Sequence, residues 1–320
     1  MMKTITLANQ DTTINISRLC VGHEGIIDPK RVEFIHWYMS AYLDAGGNCI
    51  DSARLYDNGL GEGEVGKFLK LRRREDVVLV TKCGHYDRGT RPIVHRLAPE
   101  DILSDVETSL RELDTDYIDV LFLHRDDITR DVETIMPVLD GLVKSGKVRM
   151  LGASNWTFGR IAAANGFATS NGLTSFSVSQ IHHSLALTSP AQSDDLSHVI
   201  MDDVEYSWYQ DIAMPVMAWS PAARGFFSKL AAGSELAERP AWRYGQLPEN
   251  HRRAERVKQL ASELNASVGA VVLAYLMEDD TVPTAAVCTF SKEQQFEEAL
   301  EATRLTLSPA QRKFLALGNG

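Results

Sequence analysis

The sequence predicts an α/β fold, a closed (β/α)8 TIM barrel with an N-terminal β-hairpin, and three observations carry that prediction. Eight short apolar runs alternate strictly with stretches of helical spacing along 320 residues. Helices in that number cover both faces of a parallel sheet only if the sheet closes on itself. Three of the runs end on an ionisable group: Asn48-Cys49-Ile50 on Asp51, Asp76 to Thr81 on Lys82, and Tyr117 to Leu123 on His124. A parallel sheet gathers such carboxyl ends at one face, where α/β enzymes keep their chemistry. The competing doubly wound open sheet is disfavoured because no G-x-G-x-x-G follows the first barrel strand.

In chain order, residues 1–18 read as the hairpin, turning at Asn9-Gln10-Asp11. Leu19 to Gly22 is the first barrel strand, Arg31 to Leu43 a helix that Gly46-Gly47 stops, and the Asp51 run the second strand. Glu62 to Leu69 is helical and leads to the Lys82 strand. Pro99 to Leu113, with an acidic first turn, leads to the His124 strand. Thr134 to Lys144 is a helix ended by Gly146, Val148 to Gly152 the fifth strand, Trp156 to Gly166 a helix and Ser175 to Gln180 the sixth strand. Val199 to Asp211 leads into the seventh, Pro215 to Trp219. Helices Ala254 to Leu264 and Val268 to Met277 precede the eighth, Ala285 to Cys288, and Glu293 to Arg304 and Pro309 to Leu317 close the chain. With no linker or low-complexity segment, residues 1–320 are expected to form a single domain. Long loops are expected at the carboxyl-end face, over Gly84 to Ala98, Ile181 to His198 and Pro221 to Arg253, and loops of such length in a compact domain are usually functional.

Composition narrows the function. Hydrophobic residues at 44% and charged residues at 24% suit a globular core. A net charge of −10 disfavours nucleic-acid and anionic-membrane partners, which want a basic face. No apolar run is long enough to span a bilayer, and Met1 to Leu7 lacks the apolar stretch of a signal peptide, so a cytoplasmic location is expected. Cys20, Cys49, Cys83 and Cys288 show no C-x-x-C spacing and are expected to be free buried thiols, with no metal site.

Asp51, Tyr56, Lys82 and His124 form the candidate catalytic set. A tyrosine hydroxyl with a pKa of about 10 is a poor proton donor at neutral pH unless a cation favours its phenolate. Lys82 supplies the cation, Asp51 keeps it charged, and His124 orients the oxygen that Tyr56 protonates. Taken singly, each has an ordinary reading: Asp51 as a helix cap, Lys82 as a rim charge, Tyr56 as a loop aromatic and His124 as a satisfied polar group. Four such groups on three neighbouring strand ends and one loop make those readings a coincidence.

In the order and strand context of these four residues the chain resembles the aldo-keto reductase family. The resemblance continues through Gly152-Ala153-Ser154-Asn155, Gln180 and Ala218-Trp219-Ser220-Pro221. It implies an oxidoreductase that passes a hydride between an extended nicotinamide dinucleotide and a carbonyl or alcohol, with Tyr56 handling the proton. Ser154, Asn155 and Gln180 are then expected to hold the carboxamide, Trp219 to stack on the nicotinamide, and Ser220 and Arg224 to meet the pyrophosphate. Thr289, Phe290, Lys292, Gln295 and Glu298 complete the expected cofactor residues. NADP(H) is favoured by family habit. Phe290, however, stands where a basic or polar residue is expected to meet the 2′-phosphate, so NAD(H) use, weak discrimination and a shift toward NADPH in Phe290→Arg are expected, unless Lys292 or Arg304 compensates. His23-Glu24 and Arg125-Asp126-Asp127 suggest a hydroxylated substrate: a sugar, polyol or keto-sugar. The competing reading is a nicotinamide-binding redox sensor or channel-associated subunit with little turnover. A monomer or weak homo-oligomer is the family expectation.

Overall fold

A computed structural model describes residues 2–23, 28–86, 94–193 and 195–318. The hairpin consists of β1 (Thr4–Ala8) paired with β2 (Thr13–Ser17). Ile5, Leu7, Ile14 and Ile16 are buried and their neighbours mostly exposed, the period-two pattern of a half-buried ribbon. At the turn, the Asn9 side chain accepts from the amides of Asp11 and Thr12 at 3.0 and 2.7 Å.

Strands and helices then alternate: β3 (Leu19–Gly22), α1 (Pro29–Asp44), β4 (Cys49–Asp51), α2 (Gly61–Leu69), β5 (Val78–Cys83), α3 (Pro99–Leu113) and β6 (Ile118–Leu123). Next come α4 (Val132–Lys144), β7 (Val148–Ser154), α5 (Phe158–Ser170), β8 (Val178–His182), α6 (Asp203–Ile212) and β9 (Val216–Trp219). The chain ends with α7 (Phe226–Ala231), α8 (Glu238–Tyr244), α9 (Pro248–Leu264), α10 (Val268–Met277), β10 (Thr284–Cys288), α11 (Glu293–Ala302) and α12 (Pro309–Leu317). Strands β3 to β10 close into a barrel in chain order, with β10 beside β3. The predicted (β/α)8 fold is the observed one.

Two expectations about boundaries are corrected. Strand β5 runs through Lys82 to Cys83, β7 reaches Ser154 and β8 reaches His182, because a parallel ladder is bonded through the backbone and tolerates polar side chains at its end. The stretch from Pro221 to Arg253 is largely helical, holding α7, α8 and the first turn of α9. Phe226, Phe227 and Tyr244 there are buried in one cluster with Ala254, Val257, Val271 and Leu307. Pro240, within the first turn of the short α8, and the surrounding charges hide that helical period in the sequence. Of the expected loop from Gly84 to Ala98, residues 87–93 lie outside the described residues.

Contacts group the chain into two compact units, residues 6–16 with 20–180, and residues 1–5 and 17–19 with 181–320. In the first, α3 shows how sequence sets an element. Pro99 opens it, Glu100 and Asp101 favour its positive end, Ile102, Val106, Ser109 and Leu113 form the buried stripe, and left-handed Asp114 ends it. The start of β4 is pinned by buried Tyr42, whose hydroxyl accepts from the amides of Asn48 and Cys49 at 3.1 and 2.9 Å. Gly47 makes this possible, since a Cβ there would stand 2.0 Å from the Tyr42 ring. The second unit holds the cluster around Phe226 and Tyr244. All four cysteines are buried free thiols. Among the described residues no single helix is long and apolar enough to cross a membrane.

Packing of α2 on α3 gives a stability test. A Cβ at Gly66 would meet the Glu112 carbonyl oxygen at 2.6 Å and the Leu113 carbonyl carbon at 2.9 Å, both backbone atoms, whereas one at exposed Gly141 in α4 meets nothing within 4 Å. Gly66→Ala is expected to destabilise by about 1–3 kcal/mol through overpacking, and Gly141→Ala to stabilise by about 0.5–1 kcal/mol through helix propensity. Urea denaturation of both variants checks this, and stabilisation by Gly66→Ala would contradict the packing described.

Candidate active site

The candidate catalytic residues are placed by three adjacent strands of the first unit. Asp51 ends β4 and pairs in register with Val80 of β5; Lys82 of β5 pairs with Phe122 of β6; His124 follows β6 and donates its backbone N–H to the Cys83 carbonyl at 2.8 Å. The Lys82 ammonium is 1% exposed. It donates to Asp51 Oδ2 at 2.7 Å, to the Ser52 carbonyl at 2.7 Å and to Tyr56 Oη at 3.0 Å. All three of its protons therefore have acceptors. The other Asp51 oxygen, Oδ1, accepts from Gln180 Nε2 at 3.0 Å.

Tyr56 is half-buried and opens a short 3-10 turn, Tyr56–Gly59, in which Asp57, Asn58 and Gly59 are left-handed with φ of 53°, 57° and 90°. The His124 ring meets the phenol ring edge-on at 5.8 Å, and His85 meets His124 at 4.8 Å. Burial alone would lower the Lys82 pKa, but Asp51 and Tyr56 more than reverse it and the ammonium is held above its ordinary value. For Tyr56 the balance is the opposite of that expected. Burial raises the phenol above 10.0, with Asp51 adding to the rise, and the pull of Lys82 offsets this only in part. Lys82 thus limits the cost of forming a phenolate without making the phenol acidic.

Ser154, Asn155 and Gln180 lie together in the same unit. Ser154 is opposite Gln180 in the β7–β8 register, Asn155 Nδ2 donates to Ser154 Oγ at 3.0 Å, and the Asn155 amide donates to the Gln180 carbonyl at 3.0 Å. Asn155 holds φ of 56°, a conformation that asparagine tolerates.

Within residues 181–320, half-buried Trp219 ends β9 with its ring edge-on to His182 at 4.7 Å, tilted against His198 at 4.7 Å, and 5.7 Å from the Arg243 guanidinium. Ser220 and exposed Arg224 follow in left-handed conformations, φ 58° and 55°. Thr289 and Lys292 are exposed. The Gln295 side-chain carbonyl is engaged at the start of α11, accepting from the Ser291 amide at 2.7 Å, the Ser291 hydroxyl at 3.0 Å and the Lys292 amide at 3.3 Å. Glu298 accepts from Gln294 at 3.0 Å.

Three expectations are corrected by this geometry. Phe290 is 3% exposed and packs edge-to-face on Phe296 at 5.4 Å, so it belongs to the core under α11 and offers no face to an adenine. Arg304 lies beyond the far end of α11 from Lys292, about 15 Å along the ten-residue helix, and does not stand in for it. Asp126 is engaged by the Arg160 guanidinium at 3.2 Å, and Asp127 accepts from the Thr129 hydroxyl at 2.6 Å, so neither is the uncommitted polar group that the sugar reading took it for. Glu24 lies outside the described residues.

A model of the aldo/keto reductase family matches residues 21–315. The chain belongs to that family. Norsolorinic acid reductase of Aspergillus flavus is 32% identical over 309 residues, covering 92% of this chain and 76% of that one. A "Probable aryl-alcohol dehydrogenase" of Saccharomyces cerevisiae is 38% identical over 149 residues, 44% of this chain and 45% of that one. Among solved structures, a thermostable aldo-keto reductase in complex with the inhibitor epalrestat superposes with a TM-score of 0.74 at 21% identity, covering 99% of this chain and 100% of that one, and supports the fold. This aldo-keto reductase is an oxidoreductase, an NAD(P)-dependent carbonyl reductase.

Sequence reasoning missed several residues of this aldo-keto reductase that contact the candidate residues. Ser52 supplies a carbonyl to Lys82, and His85 backs His124. Arg243, 1% exposed, donates to Ser193 Oγ at 2.9 Å and faces Trp219. Position two residues past a strand end was the only available signal for His85; nothing in the sequence marked Arg243. The buried ion pair gives a test. Lys82→Met leaves the Asp51 carboxylate, 2% exposed, without its counter-ion, and is expected to destabilise by about 3–5 kcal/mol. An unchanged urea midpoint and slope would mean that the pair is not desolvated.

Proposed function

We propose that the Asp51, Tyr56, Lys82 and His124 group catalyses carbonyl reduction, with Tyr56 as the general acid. The observation that carries this reading is the Lys82 ammonium bonded at once to Asp51, the Ser52 carbonyl and Tyr56 Oη. When bound, the nicotinamide supplies the hydride. Tyr56 donates its proton to the developing alkoxide, Lys82 stabilises the phenolate left behind, Asp51 keeps Lys82 charged and in place, and His124 donates to the substrate oxygen and orients it.

The donor set suits a dinucleotide. Ser154, Asn155 and Gln180 offer a hydroxyl and two carboxamides, matching the donor and acceptor of a nicotinamide carboxamide, and Trp219 offers an aromatic face at a strand end. Ser220 and Arg224 would serve the pyrophosphate, and Thr289, Lys292, Gln295 and Glu298 the adenosine end. The reading takes residues 1–320 as one domain working in the cytoplasm on a small molecule. For the substrate, the name of the aryl-alcohol dehydrogenase relative favours a carbonyl beside an aromatic ring. The sugar class loses the support of Asp126 and Asp127, which are engaged internally.

Tyr56→Phe is expected to lower turnover about 10²–10⁴-fold while leaving cofactor affinity nearly unchanged, because the hydroxyl acts in the transition state. A panel of aromatic aldehydes, ketones and sugars, run with both reduced cofactors, measures this; tight cofactor binding without turnover of any of them would favour a sensor. The sign of the pH dependence follows from the raised phenol pKa. Reduction needs the protonated phenol, so its rate should stay level from about pH 6 to about pH 9 and fall only above that, whereas oxidation, which needs the phenolate, should rise throughout.

With Phe290 in the core, cofactor choice falls to Lys292. We expect NADPH to bind more tightly than NADH, and Lys292→Ala to weaken NADPH about three- to tenfold while sparing NADH, the scale of one exposed charge pair. Phe290→Arg should unfold the protein more readily instead of shifting preference, because it buries an unpaired charge. Dissociation constants for both cofactors decide this; equal losses of NADPH and NADH in Lys292→Ala would remove the residue from the phosphate site.

A further inference from the structure

We propose that His23 and Asp57 form a positioning pair that holds the Tyr56 phenol against Lys82. This inference rests on the role given to Tyr56 above. The turn that carries the phenol is left-handed at two successive non-glycine residues, Asp57 and Asn58, with φ of 53° and 57° directly after Tyr56. His23, 2% exposed and directly after β3, meets two residues of this turn and Ser52. Its Nε2 lies 2.9 Å from Ser52 Oγ, its Nδ1 lies 3.7 Å from Asp57 Oδ2, and its ring meets the Tyr56 ring edge-on at 5.6 Å and 81°. Gly61 leaves room for the imidazole, since a Cβ there would stand 2.5 Å from His23 Cε1.

These contacts join the two ends of one short loop. Ser52 follows Asp51 and gives its carbonyl to the Lys82 ammonium, while Asp57 follows Tyr56, whose oxygen receives another proton of the same ammonium. By bonding to Ser52 and facing Asp57, one imidazole sets the span of the loop between two of the three acceptors of Lys82, the Ser52 carbonyl and Tyr56 Oη. With Nδ1–H directed at the Asp57 carboxylate, Nε2 accepts from the Ser52 hydroxyl. Arg54, from within the loop, adds a contact at 3.5 Å to the Gly59 carbonyl. The charged groups facing the phenol are Lys82, Asp51 and Arg125. Neither His23 nor Asp57 is assigned a proton transfer.

The test uses the full chain with His23→Ala, His23→Asn, Asp57→Gly, Asp57→Asn and the double variant His23→Ala with Asp57→Gly. Glycine accepts the Asp57 backbone conformation without strain and Asp57→Asn keeps the side-chain shape, so a loss shared by both reports the carboxylate. His23→Ala and Asp57→Gly are each expected to lower kcat about tenfold or more, with KM and cofactor Kd within about twofold. The double variant should fall no further than the worse single one, because both remove one interaction. His23→Asn, which keeps a donor near the Nδ1 position, should retain more activity than His23→Ala. Crystal structures of His23→Ala and Asp57→Gly should show the phenol withdrawn from its 3.0 Å contact with Lys82. A phenol still in place with kcat unchanged, or losses that add in the double variant, would overturn the pair. If the unmodified protein reduces no carbonyl, the proposed function fails, and the position of the phenol in the two crystal structures still decides the pair.

Discussion

The buried ammonium of Lys82 is the constraint on which the site depends. An isolated ammonium taken out of water is costly by several kcal/mol, and the penalty is met only when a counter-charge and enough acceptors surround it. Here Asp51, the Ser52 carbonyl and the Tyr56 hydroxyl each take one proton at 2.7 to 3.0 Å. Any rearrangement that moved the Tyr56 turn would strand part of that charge. The energetics that make the interior hostile to Lys82 therefore also keep the phenol in position, and the raised pKa of Tyr56 keeps its proton in place at neutral pH.

The strands around Lys82 are arranged to hold this geometry. Asp51, Lys82 and His124 come from β4, β5 and β6, whose registers follow from consecutive parallel pairings. Parallel strands buried on both faces tolerate no slip of one residue, because a slip would turn Lys82 toward the helices and Thr81 toward the barrel interior. Tyr42, bonded to the first amides of β4, holds the entry to the Asp51 strand from the far end. Gln180 on β8 grips the second Asp51 oxygen. Residues outside the proposed catalytic group thus decide where the phenol and its neighbouring cation stand.

Several polar residues that the sequence singled out already have partners within the protein. Asp126 meets Arg160, Asp127 meets Thr129, and Gln295 caps the start of α11. A short polar side chain next to a backbone amide or guanidinium finds a local partner at little entropic cost, and what sequence shows as polarity available to a ligand is often already engaged. Phe290 is the apolar counterpart. It sits in a run expected to meet the cofactor, yet burial against Phe296 satisfies it more fully than a solvent-facing loop could.

The sequence by itself determined the fold and that the strand ends carrying Asp51, Lys82 and His124 share one face. Strand and helix periods are local properties of the chain: Pro99 and Asp114 bracket α3 within three residues of its buried stripe, and the runs ending at Asp51, Lys82 and His124 announce a shared face because a parallel barrel leaves them no other. The helices between Pro221 and Arg253 escaped that reading because their burial depends on partners as distant as Leu307. Only the tertiary structure decided the electrostatic balance at Tyr56, the burial of Phe290 and the contacts of His23 with Ser52 and Asp57. Each is a competition between desolvation and charges or rings brought together from separate elements, and its outcome turns on distances of a few tenths of an ångström that no spacing in the sequence encodes.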